Sequence, residues 1–154
     1  MKRDTKRIGI VSELKVIAAL ADAGYHVLIP YGDSVRYDVV IEDDEGTFAR
    51  VQIKTGRLKN GAIEFNAFSS HTHRGGVSTR LYVGEVDFFG VYCPQVGRCY
   101  LMPASDVRTY GSLRVETPKN GQAAHVRWAA RYELPAPSEP VVGTWAGSVV
   151  PFEA

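Results

Sequence analysis

The stretch from Tyr37 to Thr55, YDVVIEDDEGTFARVQIKT, decides how this chain is read. Val39, Val40 and Ile41 form a short β-branched run, and Phe48 to Thr55 reads as a second strand with Phe48, Val51 and Ile53 among polar neighbours. Between them, Glu42-Asp43-Asp44-Glu45-Gly46 is a polar turn containing glycine, so a β-hairpin is predicted. A turn centred near Asp44 and Glu45 sets Asp38 opposite or diagonal to Gln52, and a directly opposed pair has Cβ atoms roughly 4.5–5.5 Å apart. Side chains alternate along a strand, so Gln52 and Lys54 share one face while Val51 and Ile53 take the other. A carboxylate, an amide oxygen and an ammonium therefore converge on one patch.

That grouping suits hydrolysis of a phosphodiester, whose attacking water and departing oxygen both need charge stabilisation. Asp38 and the Gln52 side-chain oxygen are hard ligands appropriate to Mg²⁺, which is usually held by one or two carboxylates with water and substrate phosphate. Such an ion acidifies water and neutralises the leaving oxygen. Beside it, Lys54 would lose proton affinity and orient or activate the water, or stabilise the phosphorane charge. The same three residues also fit an ordinary polar strand face.

Upstream, Ile10, Glu13, Leu14, Ile17, Leu20 and Ala21 recur with helical spacing and predict the core-facing stripe of a helix that runs to about Ala23, with Gly24 as its stop. Glu13 falls inside that stripe. An unpaired carboxylate there is costly, so it is expected to be protonated, paired with a cation or bound to a metal. At the stripe's edge it would instead reach water, or meet Lys15 or Arg7.

The order helix-Glu, Tyr-Asp at a strand start, then Gln-x-Lys on the next strand resembles the PD-(D/E)XK nuclease superfamily. The likeness extends through GIVSELKVIAALADAGYHVLIPYGDSVRYDVVIED, VQIKTGR, YVGEVDFFGVYCPQVGRCYLMP and LRVETPKNGQ, over residues 6 to 134, and is closest to the branch of group I intron-encoded homing endonucleases. The resemblance implies a restriction-endonuclease-like α/β core, a mixed central β-sheet flanked by helices. It implies Glu13, Asp38 and Gln52 as metal-site residues, Lys54 as the catalytic lysine, and Mg²⁺ as cofactor with Mn²⁺ able to substitute. Gln52 departs from the superfamily pattern, where Glu or Asp is usual. A neutral ligand weakens ion binding, although this branch resembles a Gln-bearing variant.

At 154 residues the chain fits one domain able to bury a substantial core. A formal net charge of +1 neither demands nor excludes nucleic acid, since binding depends on where the Lys and Arg lie. No run approaches the roughly 20 apolar residues of a membrane span, and MKRDTKR lacks the apolar core of a signal peptide; a cytoplasmic protein is expected. Cys93 and Cys99 flank a tight turn without zinc-ligand spacing and read as buried free thiols.

Along the rest of the chain, Lys2, Arg3, Lys6 and Arg7 form a basic arm, YHVLIP from Tyr25 to Pro30 a short strand, and Asp33 a loop acid close to the hairpin. After Lys54, Gly56, Arg57, Lys59, Asn60 and Gly61 form a basic turn placed for phosphate contact. Ala62 to Phe68 is predicted as a strand extending the sheet, with Ile63, Phe65 and Ala67 on one face. Ser69 to Arg80 reads as a long polar loop whose Ser69, Ser70, Arg74 and Arg80 are candidate DNA contacts. His71 and His73 without a third ligand are a weak metal signal. Val86 to Cys93 is the buried strand, with Asp87 a structural acid at its start, and Arg98 to Met102 completes the core sheet. Ser105 and Asp106 are placed to cap a short helix through Tyr110. Leu113 to Glu116 reads as an edge strand and Gln122 to Glu133 as a last helix, on which Arg127 and Arg131 either face solvent or grip phosphate. Residues 1–134 thus form the endonuclease-like domain, and residues 135–154 a Pro- and Gly-containing apolar tail, docked on its own domain or on a partner subunit.

The expected activity is metal-dependent hydrolysis of duplex DNA at a specific site. Cleaving both strands requires two sites, so a homo-oligomer is expected, a dimer or, by the resemblance, a tetramer. Alternatives are a structure-selective Holliday junction resolvase, a restriction or repair nuclease, or a catalytically inactive DNA-binding module.

Overall fold

The structure is a computed structural model that describes residues 4–121 and 124–135. Helix α1 spans Thr5–Asp22, and the Asp4 carboxylate caps it by accepting from the Arg7 backbone N–H at 3.1 Å. Strands β1 (His26–Leu28), β2 (Val39–Glu42), β3 (Phe48–Thr55), β8 (Phe88–Cys93) and β9 (Arg98–Pro103) form a five-stranded sheet in the order β1-β2-β3-β8-β9. Only β3 and β8 run parallel, so the sheet is mixed, as the sequence implied. Strands β4 (Arg57–Lys59), β5 (Ala62–Asn66) and β10 (Tyr110–Arg114) make a separate three-stranded sheet, and β6 (Phe68–His73) with β7 (Gly76–Leu81) an isolated two-stranded ribbon.

The hairpin has the anticipated register, with Val39 opposite Val51 and Glu42 opposite Phe48. Its turn is pinned by Asp43, whose Oδ1 accepts from the backbone N–H groups of Thr47 at 2.8 Å and Glu45 at 3.0 Å. Alternation then divides the two faces of the central sheet. Val39, Ile41, Val51 and Ile53 pack with Val16, Ala19 and Leu20 of α1, whereas Phe89, Val91, Tyr100 and Met102 pack with Ile63, Phe65 and Leu113 of the smaller sheet. Cys93 and Cys99 lie in these two different cores, on opposite faces, so they remain free buried thiols.

Several expectations are corrected. Of the anticipated stripe, Leu20 is buried and Ile17 packs against the core, but Ser12, Val16 and Ala19 complete the buried face of α1, and Ile10, Glu13 and Leu14 are exposed. Small residues win because the helix lies close against the sheet: a Cβ on Gly90 would stand 2.6 Å from Val16 Cγ1. Strand β5 does not extend the main sheet; it pairs with β4 and β10. Residues 69–80 are paired strands rather than a loop, joined through Arg74 and Gly75. The short helix through Tyr110 is only a 3₁₀ turn at Ala104–Asp106, with no side-chain cap. No α-helix follows Asn120 among the described residues; His125 takes φ 61°, Arg114 N–H bonds the Arg127 carbonyl, and only Ala129–Arg131 coil into a 3₁₀ turn. The second face is therefore covered by strands. Residues 122–123 and the tail from 136 onward, including its anticipated docking, lie outside the described residues.

The close approach of α1 gives a paired expectation. Gly90→Ala should destabilise the fold by about 1–3 kcal/mol through overpacking. Gly9→Ala, on the same helix with nothing within 4 Å of the added Cβ, should stabilise by about 0.5–1 kcal/mol. Urea denaturation of both variants measures the opposite signs.

Candidate active site

The residue Asp38 immediately precedes β2, and its backbone N–H donates to the Val51 carbonyl at 3.0 Å, continuing the hairpin ladder by one step. This places it across from Gln52. Asp38 Oδ2 accepts from Gln52 Nε2 at 2.7 Å and from the Ile53 backbone N–H at 2.7 Å. Burial pushes the Asp38 carboxyl above its ordinary value, against the lowering effects of the Ile53 N–H and of Lys54. Asp38 Oδ1 and Gln52 Oε1 accept no hydrogen bond among the described residues, and so remain free as oxygen donors.

On the same face of β3, Lys54 Nζ donates to the Phe68 carbonyl at 3.0 Å and lies 4.7 Å from the centroid of the Tyr82 ring. Its ammonium is half-buried, and burial lowers its pKa to about 8, with the nearby Arg36 charge acting in the same direction and Asp38 opposing. Glu13 reaches this group from α1. Its side chain is exposed rather than enclosed in the core, and partial burial of its carboxyl together with the Asp38 charge raises its pKa. The helix is tied down beside it, since the Ser12 hydroxyl bonds the Thr55 hydroxyl at 2.6 Å at the end of β3.

Two residues of this site, Arg36 and Tyr82, were not anticipated. The Arg36 guanidinium stacks 4.4 Å from the Tyr82 centroid, donates to Ser69 Oγ at 3.0 Å and to the carbonyls of Arg80 and Leu81, and meets Glu85 Oε2 at 2.9 Å. Tyr82 is buried and packs edge-on against Phe89. Their signal was weak: Arg36 lies two residues before Asp38 in a bend, and Tyr82 just beyond a segment read as a loop.

The candidate DNA contacts are dispersed. Arg57 and Lys59 are exposed on β4, Arg74 at the tip of the ribbon and Ser70 on one of its faces. Ser69 is held by Arg36, and Arg80 pairs with Glu85, so both serve the ribbon's base. Arg127 is exposed beside the smaller sheet and Arg131 within the 3₁₀ turn. Asp87 is structural, as anticipated: Arg50 grips it through its backbone N–H at 2.7 Å, Nε at 3.0 Å and Nη2 at 3.0 Å, holding its pKa below the usual range. Among the described residues no three His, Cys, Asp or Glu side chains cluster to hold a metal. The oxygens of Asp38 and Gln52, with Glu13 close enough for its charge to be felt, fit a hard divalent ion needing only one or two carboxylates.

Helix α1 and the mixed sheet form an α/β core, and its hairpin brings Asp38, Gln52 and Lys54 onto one face. The chain belongs to the PD-(D/E)XK endonuclease family, whose model matches residues 3–135. Among solved structures it is similar to a bacterial homing endonuclease, I-Ssp6803I, at 26% identity and a TM-score of 0.67, over 85% of this chain and 89% of that one. Comparison with curated proteins finds no match. Enzymes of this family generally use divalent metal ions, and no described helix is long and apolar enough to cross a membrane.

Lys54 carries a measurable cost. Its folded pKa lies below the unfolded value of 10.5, so between about 8 and 10.5 the unfolded chain binds more protons and stability rises with pH. Lys54→Met should therefore stabilise the protein by about 1 kcal/mol at pH 7. Thermal melts should show that advantage shrinking as the pH is raised from 8 towards 10.

Proposed function

We propose that this chain is a Mg²⁺-dependent endonuclease cutting duplex DNA at preferred sites, with Mn²⁺ able to substitute. The observation that carries the reading is the juxtaposition of Asp38, Gln52 and Lys54 across one pair of strands, with Asp38 and Gln52 2.7 Å apart. Asp38 and the Gln52 amide oxygen, joined by Glu13, would hold the ion. A bound divalent ion supplies acidified water and charge neutralisation at the leaving oxygen. Lys54, with a pKa near 8, exchanges protons readily at neutral pH. It orients the attacking water or stabilises the pentacovalent phosphorus, and the walls formed by Tyr82 and Arg36 limit its movement.

Site preference is supported by the β6–β7 ribbon. A two-stranded ribbon fits the major groove, where every base pair presents a distinct pattern. Beyond Ser69 and Arg80, which are engaged at its base, the ribbon offers His71, His73 and Ser78 on one face and Ser70, Thr72, Val77 and Thr79 on the other. At six residues per strand it extends about 20 Å. Cleaving both strands calls for paired active centres. Ile10 and Leu14, one helical turn apart and more than half exposed, are suited to burial against a second copy.

Cleavage of a randomised duplex library that includes the gene's flanking DNA tests the proposal. Wild type should cut a limited set of sites only with Mg²⁺ or Mn²⁺, and Lys54→Ala should lower the rate at least about 100-fold while retaining binding. Cutting of branched DNA regardless of sequence would favour a junction resolvase. Absence of cutting by wild type on all substrates would leave a DNA-binding module.

The metal is tested separately. Gln52→Glu places two carboxylates together, so without Mg²⁺ the variant should melt lower than wild type. Its rise in Tm on adding saturating Mg²⁺ should exceed that of wild type, because tighter ligand binding stabilises the native state more. Equal Tm shifts would remove Gln52 from the metal site.

A further inference from the structure

A second concave surface lies on the outer face of the smaller sheet, a groove of about 320 Å³ that the catalytic group leaves unused. In the register of that sheet, Lys59 and Arg114 both pair with Ala62, so these two side chains flank one short residue. The chain from His125 to Arg127 forms the groove's other wall, held by the 2.7 Å bond from the Arg114 N–H to the Arg127 carbonyl. Three permanent cations, Lys59, Arg114 and Arg127, thereby meet a single carboxylate of the lining, that of Glu64.

The arrangement is built and yet incomplete. Arg114 Nη1 is oriented by the Asn60 carbonyl at 2.6 Å, while the side chains of Lys59 and Arg127 make no hydrogen bond or ion pair among the described residues. At one corner of the groove Asn60 and Gly61, at φ 49° and 72°, form the ordinary two-residue hairpin turn between β4 and β5. At the other, His125 is a non-glycine residue in the left-handed region at φ 61°, a conformation that persists where surrounding structure over-determines it. Gathering like charges in this way is unfavourable until an anion joins them. The open, polar lining suits a phosphodiester better than an apolar ligand.

Strand β4 continues from β3 through Gly56 alone, so Lys59 lies only five positions along the chain from Lys54. Five extended residues span at most about 17 Å. Phosphates recur along one strand about every 3.4 Å of helix axis, so that reach covers about five nucleotides. We propose that this groove binds the sugar-phosphate backbone of the substrate duplex within about five nucleotides of the scissile phosphate, through Lys59, Arg114 and Arg127. The proposal rests on the nuclease reading above. The groove adds affinity without sequence information, while the ribbon reads the bases.

The test uses a preferred site from the library in two duplexes, one ending two base pairs beyond the cut on each side and one extending ten. Wild type should have a KM for the long duplex at least about tenfold lower than for the short one, since each charged hydrogen bond contributes about that factor. The Arg114→Gln, Arg127→Ala double variant should lose this advantage, and the slope of log binding constant against log salt should fall by about 2. Glu64→Gln should act in the opposite sense, tightening the long duplex, which misfolding would not mimic. A double variant that keeps both the long-duplex advantage and the wild-type salt slope overturns the groove proposal, even where cleavage is intact. If wild type cuts neither duplex, the nuclease reading fails, and the groove is then judged on the salt slope for the uncut long duplex alone.

Discussion

The register of β2 against β3 is the constraint on which the remainder of this molecule depends. A slip of one residue would exchange the two faces of β3, sending Gln52 and Lys54 into the contact with α1 and Val51 and Ile53 into the site. Carboxylates secure the hairpin at both ends. Buried Asp43 organises the turn through the N–H groups of Glu45 and Thr47, and Asp38 takes the Ile53 N–H where the strands open. Asp38 thus has a structural bond through Oδ2 and a free Oδ1, and the group proposed for catalysis is positioned by the backbone bond that aligns the strands.

The same alternation puts a polar group into the face that elsewhere forms the core. Gln52 and Lys54 pair in register with Phe89 and Val91, which are buried in the interior beneath the smaller sheet. Near the edge of that core, Tyr82 closes the apolar packing and presents its ring to both Lys54 and Arg36. The amide at position 52 suits the ion-free site, because it donates to Asp38 where a second carboxylate would repel it. The cost would be a less negative site for the proposed ion. Glu13 could offset it, since α1 leaves that side chain outside the packed interface, the reverse of the placement implied by its helical spacing.

What could be read in the sequence was local and one-sided. The hairpin announced itself because its strands alternate between a buried and a polar face and its turn has recognisable chemistry. The ribbon concealed itself for the opposite reason: Phe68 to Leu81 is largely exposed on both faces, so no hydrophobic period distinguishes its strands from a loop. The first half of α1 was misread because small Ser12, rather than Ile10 or Leu14, faces the sheet there. Ser12 is satisfied inside by the Ile8 carbonyl and the Thr55 hydroxyl, while Ile10 and Leu14 face outward. His125, Trp128, Ala129 and Tyr132 have helical spacing, but a bridge between Arg114 and Trp128 and the left-handed His125 hold that segment against β10. Tertiary pairing overrode local pattern in each case.

The links between the ribbon and the candidate site explain why Arg36 belongs with it: the guanidinium bonds the ribbon's base beside Lys54. Lys54 is bonded to the carbonyl of Phe68, the first ribbon residue, and Arg36 to Ser69 and to the carbonyls of Arg80 and Leu81, which close it. Beyond that base the ribbon is exposed, so its orientation is set where Lys54 and Arg36 act. A displacement at the base would move the Phe68 carbonyl and with it a partner of the lysine ammonium. A ribbon seated on a poorly fitting duplex would therefore disturb the lysine geometry, and small misplacements at a reacting centre are costly in rate. In the proposed function, base reading by the ribbon and hydrolysis beside Lys54 would be joined through this shared set of hydrogen bonds.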